Sequence, residues 1–597
     1  MNEFLKTYEL ALTPLSPIHI GCGEDFEPTN YIIEDGVLYG FDPSRAALSD
    51  IQRGRLAEVA AKTSLLAIQR FFRDNAATFK LDADVMIPVS HGVNEQYEQR
   101  IGRAANVEAS GNSVFNNLFI ERATYTGARQ VPYIPASSFK GCIRTTWLDA
   151  LNAGSKPTAV MFEVTLKGRD NQSRRVRLSA TQARNHDRKK EYVNQDGVVQ
   201  GKALSTADLE KDLLQGDFST SPFRLFKPSD LMATPHSDPA RRVLYAVNLK
   251  KRRVLGRDGK EAQPKGIAAR KECILHGQYR AFSSKAVLQL LGLHSTNRNA
   301  PARELQPTTL RQIAKYSNAY HRTRLQREMK VLDGRGMVHP DWKNGIENLL
   351  NGSLGRKLES GDAFLIRLGR YGGAESKTLS GEGVASIKIM GAKGQPPTFE
   401  STTKTVWLAA ENEHDQRGLL PFGWAIVEID PQGDLPELKA WCEQQARGRP
   451  DMAALREQIA ADRLVAEQRK ITERVEAEAR EAARQAQQAA ESARRLAFAA
   501  MSPQAQDIET LRQKCEALAN RIAGGNFKKQ APEAGKAGLY QEAHTLSKKA
   551  LESAEWTTDD KRALADMLEQ WLPQVIGPWD AKEQRKKLKL AALKGVA

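Results

Sequence analysis

The sequence predicts an α+β protein that ends in a long helix and a small helical bundle. Three observations carry this. Short alternating apolar runs (Tyr8–Leu12, Tyr31–Tyr39, Val243–Leu249, Phe364–Leu368) are separated by stretches of helical periodicity. Ile134–Leu148 reads as a strand end, a small-residue turn and then a helix. After Pro431 the composition shifts, and residues 451–500 hold no Gly or Pro and opposed charges that cancel. At 597 residues the chain has room for several cores.

The Ile134–Leu148 stretch organises the rest. Pro135 stops the strand, and Ser137 or Ser138 is placed to cap the helix. Lys140 and Arg144 lie four apart and share one face. Ile143, Trp147 and Leu148 form the opposite, core-facing stripe. Free N–H groups, hydroxyls and two cations then point one way, which is an anion site suited to phosphate. The competing explanation is an ordinary capped helix with two solvated cations.

The net charge is +16 and uneven: residues 161–280 carry +11, whereas the last 147 carry +3. A basic middle fits a polyanionic partner bound at one place, against the plainer explanation of a solvated basic surface. No run reaches the roughly 20 apolar residues of a membrane span, and Met1–Lys6 leads into no signal core. Cys22, Cys142, Cys273, Cys442 and Cys515 form no CxxC pair, which points to free thiols in a reducing cytoplasm and to no metal or cofactor.

In chain order, Tyr8–Leu12 is a half-buried strand. Ile18–Gly23 turns on two glycines, and Tyr31–Tyr39 is a hairpin around Asp35-Gly36. Residues 44–80 are helical. Asn106–Glu108 and Leu118–Arg122 are short strands. Residues 155–215 are a polar, basic insertion with Arg174–Arg177 and Arg188–Lys190. Ser221–Asp230, which holds Arg224 and Lys227, precedes a hairpin. Its strands run near Val243–Leu249 and Glu272–Gly277 and present Lys250, Lys251, Arg252 and Arg253 as an RNA-backbone grip, or as solubilising charges at a hairpin tip. Residues 284–352 are helical, beginning at Val287, Leu288, Leu290 and Leu291, with a basic face of Arg322, Arg324, Arg327 and Lys330. Phe364–Leu368 then enters a loop of Gly369, Arg370, Tyr371, Gly372, Gly373 and Lys377. Its glycines let the backbone approach a phosphate; a plain glycine hairpin is the alternative, and the spacing is not that of a Walker A loop.

Four of these segments resemble the repeat-associated (RAMP) proteins of CRISPR type III effector complexes, in particular the end-capping subunit of the type III-A complex. They are the opening strand with Ile18-His19-Ile20-Gly21-Cys22-Gly23 and its hairpin, the Ala136-Ser137-Ser138-Phe139-Lys140-Gly141 loop, the Pro222-Phe223-Arg224 segment ending in Ser229-Asp230, and the glycine-rich loop ending in Lys377-Thr378. Pro421-Phe422-Gly423-Trp424 is similar to the closing strand of that family. The resemblance covers about residues 1–430. It implies two ferredoxin-like (RRM-like) units with helical and basic insertions: 1–155 and 286–430, with 156–285 as the basic insertion and hairpin.

The same resemblance implies that Ser137, Ser138, Lys140, Arg144, Arg224, Lys227, Lys250–Arg253, Gly369–Gly373 and Lys377 bind RNA. The partners would be a guide RNA (crRNA), a complementary target RNA and neighbouring backbone subunits, in a cytoplasmic ribonucleoprotein. Capping of the 3′ end of the guide and help in its maturation follow from the likeness. The backbone subunits cut target RNA with an aspartate in the first loop. Gly23–Asn30 lacks that pattern, and Asn30 stands where capping subunits often have aspartate, so no nuclease chemistry is placed on Asp25. A rival is a metal-independent endoribonuclease using His19 and Tyr371, although His19 also fits a structural role beside its glycine turn. A third reading is a non-catalytic scaffold that recruits host nucleases.

The remainder departs from the family. Residues 431–502 read as a long charged helix, a coiled-coil arm or a single exposed helix, with Leu455, Ile459, Leu464, Ile471 and Val475 as a thin stripe. Residues 503–597 read as a bundle in which Gly524-Gly525 ends one helix and Thr558 starts another, lined by Leu564, Met567, Leu568 and Trp571, with Trp556 and Trp579 as anchors. A docking module for a neighbouring subunit is the expected role.

Overall fold

The computed structural model describes residues 4–62, 64–107, 113–154, 161–167, 172–179, 210, 213–214, 219–235, 238–253, 268–290, 300–382, 384–385, 387–390, 396–525, 527–532 and 538–596. Contacts divide the chain into two units, Met1–Arg463 and Leu464–Ala597.

The strand Leu5–Pro14 is the hub of the first unit. It pairs antiparallel with Phe282–Gln289 on one side and Trp424–Ile429 on the other. Phe226–Pro228 and Met232–Ala233 add to Phe282–Gln289, and Ala363–Arg367 adds to Trp424–Ile429, making a six-stranded sheet. A second six-stranded sheet runs Gly21–Phe26, Ile120–Ala123, Ala269–Ile274, Arg241–Lys250, Thr405–Ala410 and Leu420–Pro421. Both sheets therefore mix strands from distant parts of the chain.

Alternation explains how the layers stack. Leu10, Leu12, Phe364, Ile366 and Val427 face the helices Ala136–Asn152 and Leu310–Gly334, meeting Phe139, Ile143, Trp147, Leu310 and Ile313. Their neighbours Ala363, Leu365, Trp424 and Ile426 face the opposite way and share a core with Val243, Tyr245, Val247 and Leu249 of the second sheet. A sheet covered on both faces reads as nearly continuous apolar sequence. The exception in Trp424–Ile429 is Glu428, which is buried and held by both Arg280 Nε (2.9 Å) and Nη2 (2.8 Å).

Four local expectations are corrected. Val287 and Leu288 do not begin a helix: Phe282–Gln289 is a strand, with Phe282, Ser284, Ala286 and Leu288 buried, and the helix starts at Leu310 behind Thr309. The apolar spacing there fits either period, and pairing with Leu5–Pro14 decides it. Gly21–Phe26 is an edge strand with a register shift between Gly21 and Asp25, not a bare turn. Neither Ser137 nor Ser138 caps its helix. Pro135 is the N-cap residue, and the Ala136 N–H donates to Asp230 Oδ1 at 2.7 Å. In the bundle Thr557, one residue before the expected start, forms a capping box with Asp560. Arg188–Lys190, the hairpin turn after Arg253, and Leu291 lie outside the described residues. Arg174–Arg177 falls on the strand Ser173–Ser179, which pairs with Met161–Lys167.

The helix Met452–Ala499 begins in the first unit, where Ile459 packs with Phe41, Phe72 and Phe79. Beyond it Leu464, Val465, Ile471 and Val475 are exposed. Same-helix pairs such as Arg469–Glu473 (2.9 Å) and Arg495–Glu491 (2.6 Å) support it as a charged surface helix. The second unit closes its own core around Leu511, Cys515, Leu564, Leu568 and Leu572, with Trp556 buried and Trp571 and Trp579 half-buried.

Burial above all, then the charge of Arg449, pushes the His276 pKa down to about 3. The folded protein therefore holds this ring neutral while the unfolded chain protonates it near the ordinary pKa of about 6.5. Stability is full above that value and is lost as pH falls toward about 3, at up to about 1.4 kcal/mol per pH unit. The melting midpoint of the unsubstituted protein should fall on acidification below about pH 6.5. A His276→Gln variant should show a shallower fall, and equal slopes would contradict the assignment.

Candidate nucleic-acid interface

The glycine-rich loop is built on a close crossing. Gly369 has φ +79°, and a Cβ there would stand 2.3 Å from the His19 carbonyl oxygen. Only glycine lets the chain pass so near, and the Arg370 N–H then donates to that same oxygen at 2.9 Å. The far side of the loop is fastened from within. Arg324 donates to the carbonyls of Glu375 (3.0 Å) and Thr378 (2.9 Å) and to Ser380 Oγ (3.1 Å). Tyr320 Oη donates to Thr378 O at 2.8 Å. Arg324, read from the sequence as part of a basic face, is half-buried over the Tyr320 ring and holds the loop.

The loop and the Ala136–Asn152 helix lie side by side. Cys142 Sγ donates to the Arg367 carbonyl (3.1 Å), and Ser380 Oγ donates to Asp149 Oδ2 (3.0 Å). Burial pushes the Cys142 thiol up to about 12, against the opposing pull of the Arg367 and Lys377 charges. Ser137, Arg144, Gly369, Arg370, Gly373 and Lys377 are exposed, and Ser138 and Gly372 are half-buried.

Near the helix start Lys140 Nζ donates to the Phe226 carbonyl at 2.6 Å. Burial first, then the charges of Lys227 and Arg144, lowers the Lys140 pKa. Three cations therefore crowd one place, with Glu210 3.4 Å from Arg144. Lys227 and Arg224 are exposed, and the Arg224 guanidinium bonds the Ser219 carbonyl. The four-cation run divides. Lys251 is committed to Glu375 (2.5 Å) and Thr403 (2.8 Å), tying the hairpin to the loop, whereas Arg252 and Arg253 are exposed and Lys250 is half-buried.

His19 and Tyr371 do meet, with ring centroids 6.1 Å apart. His19 is 0% exposed, its Nδ1–H donates to the Glu272 carbonyl (2.7 Å), and burial above all lowers its pKa. This buried bond ties the His19 ring to the Ala269–Ile274 strand. Burial also pushes the Tyr371 hydroxyl up, with Lys271 opposing. Glu121 joins the group by contacting Lys271, His19 Nε2 (3.3 Å) and Arg370 Nη1 (3.0 Å). It borders a cleft of about 200 Å³ with Gly21, Gly23, Asp25 and Arg122. Burial raises the Glu121 pKa, but the Lys271 contact and the nearby charges outweigh it and hold the carboxyl below its usual range. Lys271 was missed from sequence. Its signal is three consecutive charges, Arg270-Lys271-Glu272, inside a strand. Among the described residues no three His, Cys, Asp or Glu side chains converge as metal ligands would.

Residues 11–291, just under half of the chain, match the model of the RAMP superfamily. More particularly, the chain resembles Csm5 of type III-A CRISPR systems. It is 29% identical over 160 residues to "CRISPR system Cms protein Csm5" of Streptococcus thermophilus, covering 27% of this chain and 43% of that protein. It is 29% identical over 142 residues to the protein of the same name from Methanocaldococcus jannaschii, covering 24% and 30%. The matches thus span less than half of either relative. Among solved structures, a chain of a Csm–crRNA–target RNA ternary complex aligns with TM-score 0.41 and 16% identity, over 71% of this chain and 100% of that one. The crystal structure of T. onnurineus Csm5 aligns with TM-score 0.37 and 15% identity, over 70% and 99%. No helix among the described residues is long and apolar enough to cross a membrane.

Proposed function

We propose that the protein is the guide-RNA-binding subunit of a type III CRISPR effector complex. It caps the backbone filament at the 3′ end of the crRNA and assists crRNA maturation in a cytoplasmic ribonucleoprotein. The observation that carries this reading is the joining of two segments more than 200 residues apart: the Ala136–Asn152 helix, through Cys142 and Asp149, bonds Arg367 and Ser380, which flank the glycine-rich loop on either side. Together they offer exposed Arg144, Lys227, Arg370 and Lys377 beside backbone N–H groups, which position a sugar–phosphate strand without reading its sequence. The sequence likeness to Csm5 supports crRNA, target RNA and neighbouring RAMP subunits as partners.

We read residues 1–155 and 286–430 as the two ferredoxin-like units of this family, although residues 156–285 lend strands to both sheets, and the helix and bundle after residue 431 as a docking module. The sealed setting of His19 favours binding over RNA cleavage by this chain. The test is to purify the tagged chain from its native host and sequence the bound RNA. Repeat-derived guides of uniform 5′ end support the assignment, whereas random transcripts or no RNA overturn it.

A further inference from the structure

The outer face of the second sheet carries an aromatic surface that phosphate binding leaves unused. Along Arg241–Lys250 the odd-numbered residues Val243, Tyr245, Val247 and Leu249 enter the shared core. Leu244 and Ala246 point the other way and cluster with Ala409 and Phe422. This second face is capped by two half-buried rings, Trp407 and Tyr371, with centroids 5.2 Å apart and planes at 51°. Tyr371 also lies 5.0 Å from Phe422.

Tyr371 holds φ at +71°. That region is costly for a bulky residue and persists where surrounding contacts impose it, commonly at ligand sites. Here it turns the ring from the glycine-rich loop onto the sheet, directly after Arg370. Asn248 stands opposite Trp407 across the strand pair, and its Oδ1 is buried with no hydrogen-bond donor. Lys250 lies two residues further on the same face, opposite Thr405. Lys271 Nζ sits 5.8 Å from the Tyr371 ring centre. Lys271 itself is buried and paired with Glu121, so the cation open to a ligand is Lys250; aromatic faces, an acceptor lacking a donor and a flanking cation are elements of a single-stranded nucleic-acid platform.

We infer that this face is a stacking site for one unpaired base of the strand gripped by the glycine-rich loop, an inference that rests on the RNA-binding reading. The base lies against Trp407 beside Tyr371, and its phosphate reaches Lys250. An exocyclic amino group would supply the donor that Asn248 lacks. Tyr371 then serves as a surface rather than as a proton carrier.

The test uses the full chain and an oligoadenylate of about 12 nucleotides, with 2-aminopurine substituted at one position at a time. Fluorescence quenching should appear at one or two adjacent positions and disappear in Trp407→Leu. That variant should bind about tenfold more weakly with an unchanged salt slope, because no phosphate contact is lost. Trp407→Phe should recover affinity to within about threefold. Should Trp407→Leu fail to fold, the quenching pattern of the unsubstituted protein and the Trp407→Phe affinity decide the matter. Full-affinity binding with no quenched position, or equal quenching in Trp407→Leu, overturns the stacking site while leaving RNA binding intact. Absence of any binding by the unsubstituted protein overturns both.

Discussion

Reversing two charges, Arg144→Glu with Lys377→Glu, is expected to strip the protein of guide RNA while leaving it folded. Both side chains are exposed. Arg144 has an acidic neighbour in Glu210 at 3.4 Å, and a solvent-exposed pair of this kind is worth about 0–1 kcal/mol. Each lost phosphate contact removes a charge-assisted hydrogen bond of about 1.5–3 kcal/mol, so affinity should drop at least about a hundredfold. For two contacts on a single strand the slope of log K against log salt should flatten by about 1.4. Lys140→Glu with Lys377→Glu should also lose RNA, but with a stability cost. Lys140 Nζ donates to the Phe226 carbonyl, and a carboxylate there would face an acceptor. Guide occupancy equal to that of the unsubstituted protein, with an unchanged melting midpoint, would sink the assignment.

The Asp35-Gly36 hairpin was legible because its turn signal and alternation are local, and the structure pairs Tyr31–Glu34 with Val37–Gly40. The long charged helix was legible over Met452–Ala499 because composition alone carries it, whereas Pro436–Ala446, expected as part of it, is a separate helix that buries Leu438, Trp441 and Cys442 in the first unit. Three features were not. The first is which strands flank Leu5–Pro14: its partners lie near residues 285 and 427, and nothing local in any of the three strands names the others. The second is the fate of individual cations. Lys251 and Arg252 are adjacent and identical in charge. Lys251 is turned into the ion pair with Glu375 while Arg252 is exposed, a difference set by where the loop lands. The third is the helix cap. Ser137 and Ser138 have the right chemistry, but Asp230, 94 residues further on, reaches the Ala136 N–H first. What the motif pattern did convey was a pair of segments that fold next to one another, bonded at Cys142–Arg367 and Asp149–Ser380, although no periodicity joins them.

The same lesson gives Arg324 its role and a second large expected effect. Its side chain touches no exposed surface of the loop, yet it spans the loop from behind, reaching two carbonyls and a hydroxyl between Glu375 and Ser380. Its guanidinium lies 3.3 Å from the Tyr320 ring centre. Arg324→Met keeps the length and loses every donor. Tyr320 Oη still bonds Thr378 O, but the Glu375 carbonyl and Ser380 Oγ lose their charged partner, so the loop should open locally at a cost of about 3 kcal/mol. Amides of residues 369–381 should exchange with deuterium faster while those of the Leu5–Pro14 sheet do not change. RNA affinity should fall about tenfold as the loop must be reordered on binding, and the salt slope should stay the same because no phosphate contact is removed. Arg324→Lys should recover little, since an ammonium cannot reproduce the fork that meets three acceptors at once. Unaltered exchange in residues 369–381 would show that the loop holds its shape without this side chain. The presentation of Arg370 and Lys377 to a phosphate strand would then come from the His19 crossing, the Tyr320–Thr378 and Ser380–Asp149 bonds and the Lys251–Glu375 pair.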